Sequence, residues 1–127
     1  MNKYRVYILD DDKFLLDMYA IKFKNAGHDI QVFESGEECV KALKEKDPPH
    51  AILLDINMPK MNGFQFLEIV RSENLAQGSR IIMLTNQGLS DDYDNARKYN
   101  VDGYIIKTAS IPAEVYNTTI KLIEKPK

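Results

Sequence analysis

Five side chains in this sequence could do phosphoryl chemistry if the fold brought them together: Asp10, Asp11, Asp55, Thr85 and Lys107. Asp10, Asp55, Thr85 and Lys107 each follow a short apolar run, namely YRVYIL, AILL, IIML and YII. Were these runs the strands of an open parallel sheet, their carboxyl ends would share one edge, which is where such sheets bind ligands. That edge would hold three carboxylates, a hydroxyl and an ammonium. Three carboxylates in contact repel by about 4 kcal/mol per pair at ~4 Å and an effective dielectric of ~20, so a cation must relieve them. Hard oxygen donors with no His or Cys nearby select Mg2+, with Mn2+ also acceptable, over Zn2+. In that setting Asp55 can act as a nucleophile, Asp10 and Asp11 as metal carboxylates, Lys107 as a fixed cation and Thr85 as a hydroxyl donor.

The rest of the chain supplies elements to position them. Tyr4 to Leu9 reads as a buried strand ending in the acidic Asp10, Asp11 and Asp12. Leu15, Met18, Tyr19, Phe23 and Ala26 then recur at helical spacing, and Gly27 is a natural stop. A second strand over Ile30 to Phe33 precedes a capping box of Ser35 and Glu38, whose helix closes before Pro48 and Pro49. Ala51 to Leu54 runs into Asp55, and Phe64, Leu67 and Val70 mark a third helix. Ile81 to Leu84 ends at Thr85. Ser90 is a candidate N-cap for a polar fourth helix reaching Tyr99, with Asn100 suited to the left-handed turn that ends it. Tyr104 to Ile106 leads to Lys107, and Pro112 opens a last helix through about Glu124. Strict alternation with fully apolar strands predicts a doubly wound α/β fold of five parallel strands and five helices.

Composition narrows the function classes. The 127 residues suit one domain, with Glu124 to Lys127 a candidate linker stub. A formal net charge of -2 gives no basic excess to attract nucleic acid. The lone Cys39 cannot form an internal disulfide and reads as a small buried hydrophobe. Neither a signal peptide nor a stretch of ~20 apolar residues is visible. A cytoplasmic protein without membrane contact is expected.

The segments YILDDD, LLDINMPKMNG, IIMLTN and GYIIKT together resemble the signatures of response-regulator receiver domains, over nearly the whole chain. The resemblance implies a flavodoxin-like (βα)5 fold with strand order 2-1-3-4-5, and phosphorylation of Asp55 by a sensor histidine kinase or histidine phosphotransfer protein. It implies direct Mg2+ ligation by Asp11, mainly water-mediated ligation by Asp10, and a further ligand in the backbone carbonyl of Asn57. It adds a switch coupling Thr85 to Tyr104, read out by an unidentified partner on the fourth helix, fifth strand and fifth helix, with Tyr93, Lys98 and Tyr104 as places to look for contacts. Such a domain catalyses only its own phosphorylation and dephosphorylation, as a monomer or a phosphorylation-dependent dimer. Two positions depart from the family pattern: Thr108 stands where proline is usual, and Asn86 where Ala, Ser or Gly is usual.

Each residue also has a plainer reading. The aspartates at 10 to 12 could form a turn and N-cap, and Asp55 could be a strand-end turn former before NMPKMNG. Thr85 alone is a strand residue, Lys107 alone a surface charge, Tyr104 a packing residue, and His28 and His50 loop or strand-edge residues rather than ligands. Two other functions compete: a pseudo-receiver that uses the fold for interaction without phosphorylation, and a phosphatase with an aspartate nucleophile. The second commonly needs an acid two residues after the nucleophile, where this chain has Asn57.

Overall fold

The apolar runs form one parallel sheet in the computed structural model, which describes residues 3–85, 90–107 and 110–126, with only the backbone of 90–93. The strands are β1 (Arg5–Leu9), β2 (Asp29–Phe33), β3 (Ala51–Asp55), β4 (Arg80–Thr85) and β5 (Gly103–Ile106). Their order is β2-β1-β3-β4-β5, the order the sequence led us to expect. Between and after them lie α1 (Lys13–Asn25), α2 (Gly36–Glu45), α3 (Gly63–Ser72), α4 (Ser90–Lys98) and α5 (Pro112–Glu124).

Period-two alternation sorts the strand side chains into two cores. Val6, Ile8, Leu53, Ile82 and Leu84 face Leu16, Tyr19 and Phe23 of α1 and Val115 of α5. Tyr7, Leu9, Ile52, Leu54, Ile81 and Met83 face the other way, onto Leu43 of α2, Phe66, Leu67 and Val70 of α3, and Ala96 of α4. Each large apolar side chain so buried contributes roughly 1.5–3 kcal/mol. Winding reverses between β1 and β3, so the loops after those strands diverge and leave a crevice at their carboxyl ends.

Helix ends follow local chemistry. Asn62 and Gln65 form a reciprocal capping box at the start of α3, with bonds of 2.9 and 2.8 Å. At α2 only half of the expected box is present, Ser35 Oγ accepting from the Glu38 N–H at 3.3 Å. Gly27 has φ of +91° past the end of α1, and Asn100 has φ of +56° past α4, as their residue types anticipate. Pro112 is the first residue of α5. Ser90 is the first helical residue of α4 rather than its cap, and the preceding position lies outside the described residues.

One phase assignment needs correcting. Met18, expected on the buried face of α1, is 38% exposed, and Phe14 and Ile21 beside it are exposed too. The buried stripe runs through Leu16, Tyr19, Ala20 and Phe23. Apolar residues occupy both faces of this helix, so spacing alone did not fix which face turns inward.

Candidate functional site

Asp10 follows β1 directly and is fully buried, its Oδ1 accepting the Asp12 N–H at 2.9 Å. That turn divides the aspartates into three roles. Asp12 caps α1, accepting from the N–H groups of Phe14 and Leu15 at 3.1 and 3.2 Å. The plainer reading of a turn and an N-cap is therefore met by Asp10, which makes the turn, and Asp12, which makes the cap. Asp11 is left exposed at the rim.

Asp55 closes β3 and is 2% exposed. Its backbone fixes the loop that follows: a Cβ on Gly63 would lie 2.7 Å from the Asp55 carbonyl oxygen, so only glycine lets α3 begin this close. Asp10, Asp11 and Asp55 each present a carboxylate oxygen within 4.8 Å of the others. Thr85, fully buried, ends β4 opposite Ile106, and Lys107 follows β5. The Lys107 ammonium reaches Asp10 Oδ2 at 2.7 Å and Asp55 Oδ1 at 3.4 Å. All five residues singled out at the start thus converge on one edge.

Burial, and then the neighbouring Asp10 charge, push the Asp55 carboxyl up to about 6. Lys107 and the Asn57 N–H, which approaches Asp55 Oδ1 at 3.4 Å, oppose this without cancelling it. Burial alone would lower Lys107, but its bond to Asp10 and the two carboxylate charges outweigh it and raise it. The partners are unequal because one ammonium serves two carboxylates. Tyr19, which the sequence marked only as a core position, is raised by burial and also feels Lys107, Asp10, Asp12 and Asp55, so its hydroxyl lies in the field of the site.

The donor set fits a hard divalent cation. Ligand oxygens at ~2.1 Å from an octahedral ion lie up to about 4.2 Å apart, so oxygens within 4.8 Å need little adjustment. Exposed Asp11 gives such an ion a solvent-facing ligand.

Residues 6–115 match the model of the response regulator receiver domain. The chain belongs to this family. The receiver is 31% identical over 103 residues to the DNA-binding response regulator MtrA of Mycobacterium leprae, covering 81% of this chain and 44% of that protein. It is 32% identical over 124 residues to a protein-glutamate methylesterase/protein-glutamine glutaminase of Bacillus licheniformis, covering 95% and 34%. The chain thus spans less than half the length of these curated relatives. Among solved structures, Vibrio cholerae chemotaxis protein CheY4 superposes with a TM-score of 0.86 at 22% identity, over 95% of this chain and 99% of that one. It shares the fold.

Receiver domains are signalling domains of two-component systems, and the acidic cluster here fits Mg2+ binding and aspartate phosphorylation. Tyr104 pairs with Met83, two residues before Thr85, so Tyr104 and Thr85 project from the same face of the sheet. Lys98 is exposed. Asn86, Thr108 and the side chain of Tyr93 lie outside the described residues. Among the described residues no helix is long and apolar enough to cross a membrane.

Proposed function

We propose that this receiver accepts a phosphoryl group on Asp55 from a phosphohistidine of a sensor kinase or phosphotransfer protein, in a Mg2+-dependent reaction. It then reports the change through the surface of α4, β5 and α5. The observation that carries the reading is a buried strand-end carboxylate, Asp55, with an ammonium at 3.4 Å and two further aspartates close by.

An Asp55 oxygen forms the new bond to phosphorus while the phosphorus–nitrogen bond breaks. The departing imidazole keeps that electron pair, and nothing on the receiver need be oxidised or reduced. Asp10, Asp11, Asp55 and the backbone carbonyl of Asn57 would hold the cation, which supplies charge neutralisation on the transferring oxygens. Lys107, 3.4 Å from Asp55 Oδ1, offers a second, fixed positive charge, and the Thr85 hydroxyl a hydrogen bond to a phosphoryl oxygen. Thr85 drawn toward that group vacates space on the face it shares with Tyr104, which couples the site to β5.

Incubation with Mg2+ and a small phosphodonor, followed by intact-mass measurement, tests this. The reading expects a mass gain of one phosphoryl group that is lost in Asp55→Asn. No gain in the wild type would favour a phosphorylation-independent interaction module instead.

A further inference from the structure

Three residues on one stripe of α3 all engage Tyr99, just past the end of α4. The Phe64 ring stacks on the Tyr99 ring, with centroids 6.0 Å apart and 23° between planes. Glu68 lies one turn on. Desolvation raises the Tyr99 hydroxyl, and the nearby Glu68 carboxylate raises it further. A turn later, Arg71 donates from Nε and Nη2 to the Tyr99 carbonyl at 3.2 and 3.0 Å, and from Nη2 to the Asn100 carbonyl at 3.4 Å. Residues spaced by four and then three share a helix face. The stripe runs beside the buried Phe66, Leu67 and Val70, and Phe64 and Tyr99 both pack against the core those residues belong to.

The last carbonyls of a helix lack partners within it and carry its partial negative charge, so a planar guanidinium suits them well. The other end of α3 is fixed to the candidate site. Gly63 N–H donates to the Ile56 carbonyl at 2.9 Å, and Ile56 N–H to the Leu84 carbonyl at 3.1 Å. α3 is thus tied to the Asp55 loop at one end and to the end of α4 at the other.

We propose that Arg71, with Phe64 and Glu68, is a latch that pins the C-terminal end of α4 to α3, so that α4 answers the site by pivoting about Tyr99. Arg71 is a positioning residue that touches none of the reacting atoms. The pivot rests on the phosphoacceptor reading; the latch does not.

Residue-resolved amide exchange on the full chain tests both, in wild type, Arg71→Ala and Arg71→Lys, with and without Mg2+ and acetyl phosphate. Intact mass reports whether a phosphoryl group is present. Without phosphodonor, the Tyr99 and Asn100 amides, which donate to the Ala96 and Arg97 carbonyls at 3.1 Å, should exchange about tenfold faster in Arg71→Ala, the change expected for ~1.4 kcal/mol of local protection. Arg71→Lys should recover part of this, since an ammonium lacks the fork that spans two carbonyls. With phosphoryl present, wild-type changes should be largest in the first turns of α4 and fade before Tyr99, whereas in Arg71→Ala they should reach Asn100. Unchanged exchange at Tyr99 and Asn100 in Arg71→Ala would overturn the latch, as would acceleration that extends equally to β3 and so reports global loosening. A uniform response along α4 in the phosphorylated wild type would overturn the pivot. Absence of any mass gain would sink the phosphoacceptor reading and the pivot with it, and the unphosphorylated comparison would still decide the latch.

Discussion

Lys107 Nζ lies 2.7 Å from Asp10 Oδ2, and the two side chains are only 4% and 0% exposed. A pair this buried gives up most of its Coulombic gain to desolvation, yet leaving either partner alone is costly. The same ammonium leans on Asp55, so in the protein without metal one lysine balances two buried carboxylates. Lys107 therefore links fold stability to the charge state of the site.

Lys107→Ala should destabilise the metal-free receiver by about 3–5 kcal/mol, the usual cost of stranding one partner of a buried pair. It should still bind Mg2+, because the candidate ligands are untouched, and Mg2+ should restore more stability to it than to wild type. Thermal melts with and without metal measure this. Loss of metal affinity as complete as in Asp11→Ala would contradict the division between ligands and fixed cation.

Asp55 titrates at about 6 in the fold against 3.8 for an ordinary aspartate. Between those values the folded state holds a proton that the unfolded state has released, so metal-free stability should fall as pH rises through that window. The full effect is on the order of 3 kcal/mol at 1.36 kcal/mol per pH unit. Asp55→Asn should lack this slope and be the more stable protein near neutral pH. Denaturation midpoints from about pH 4 to 8 test the sign, and a wild type that gains stability across the window relative to Asp55→Asn would show it to be wrong.

His28 should titrate in the opposite sense. Its Nδ1 accepts the Tyr4 N–H at 3.1 Å, so Nε2 carries the proton and can donate to the Tyr116 hydroxyl, also at 3.1 Å. Burial lowers its pKa, with Glu124 opposing. The stability it contributes is present above the unfolded value of 6.5 and lost as pH falls below it through the folded value. Proton-detected titration of the ring should give a midpoint below 6.5, and a midpoint above it would mean that Nδ1 is not held as an acceptor.

Mg2+ should raise the melting midpoint of wild type. Folding gathers Asp10, Asp11 and Asp55, and metal at ~100 times its dissociation constant contributes about 2.7 kcal/mol if it binds only the native state. At roughly 2 to 8 °C per kcal/mol that is an easily measured shift. Equal midpoints at matched ionic strength, with and without metal, would mean that the carboxylates do not form one site.

The strand ends were legible because an apolar run stopping at a charge has few other readings, and four such stops fell on one edge. The strand order came from the family resemblance, and the sheet bears it out. What the sequence withheld lies in backbone dihedrals and tertiary contacts. Asp10, Asp11 and Asp12 are chemically identical, and only the turn shows that Asp12 caps while Asp10 is buried. Met18 and Leu16 are equally apolar, so the phase of α1 was set by the sheet rather than by the pattern. The convergence of Phe64, Glu68 and Arg71 on Tyr99 was invisible because only three of those four share an element. The regular spacing of the three was the available signal, and their partner was not.

Locating the phosphoryl group tests the central claim most directly. After incubation with acetyl phosphate and Mg2+, fragment mass analysis should place it on Asp55 alone, with chelation of the metal suppressing it and Asp55→Asn remaining unmodified. A phosphoryl group mapped to any other residue, or full labelling in the presence of chelator, would contradict the account.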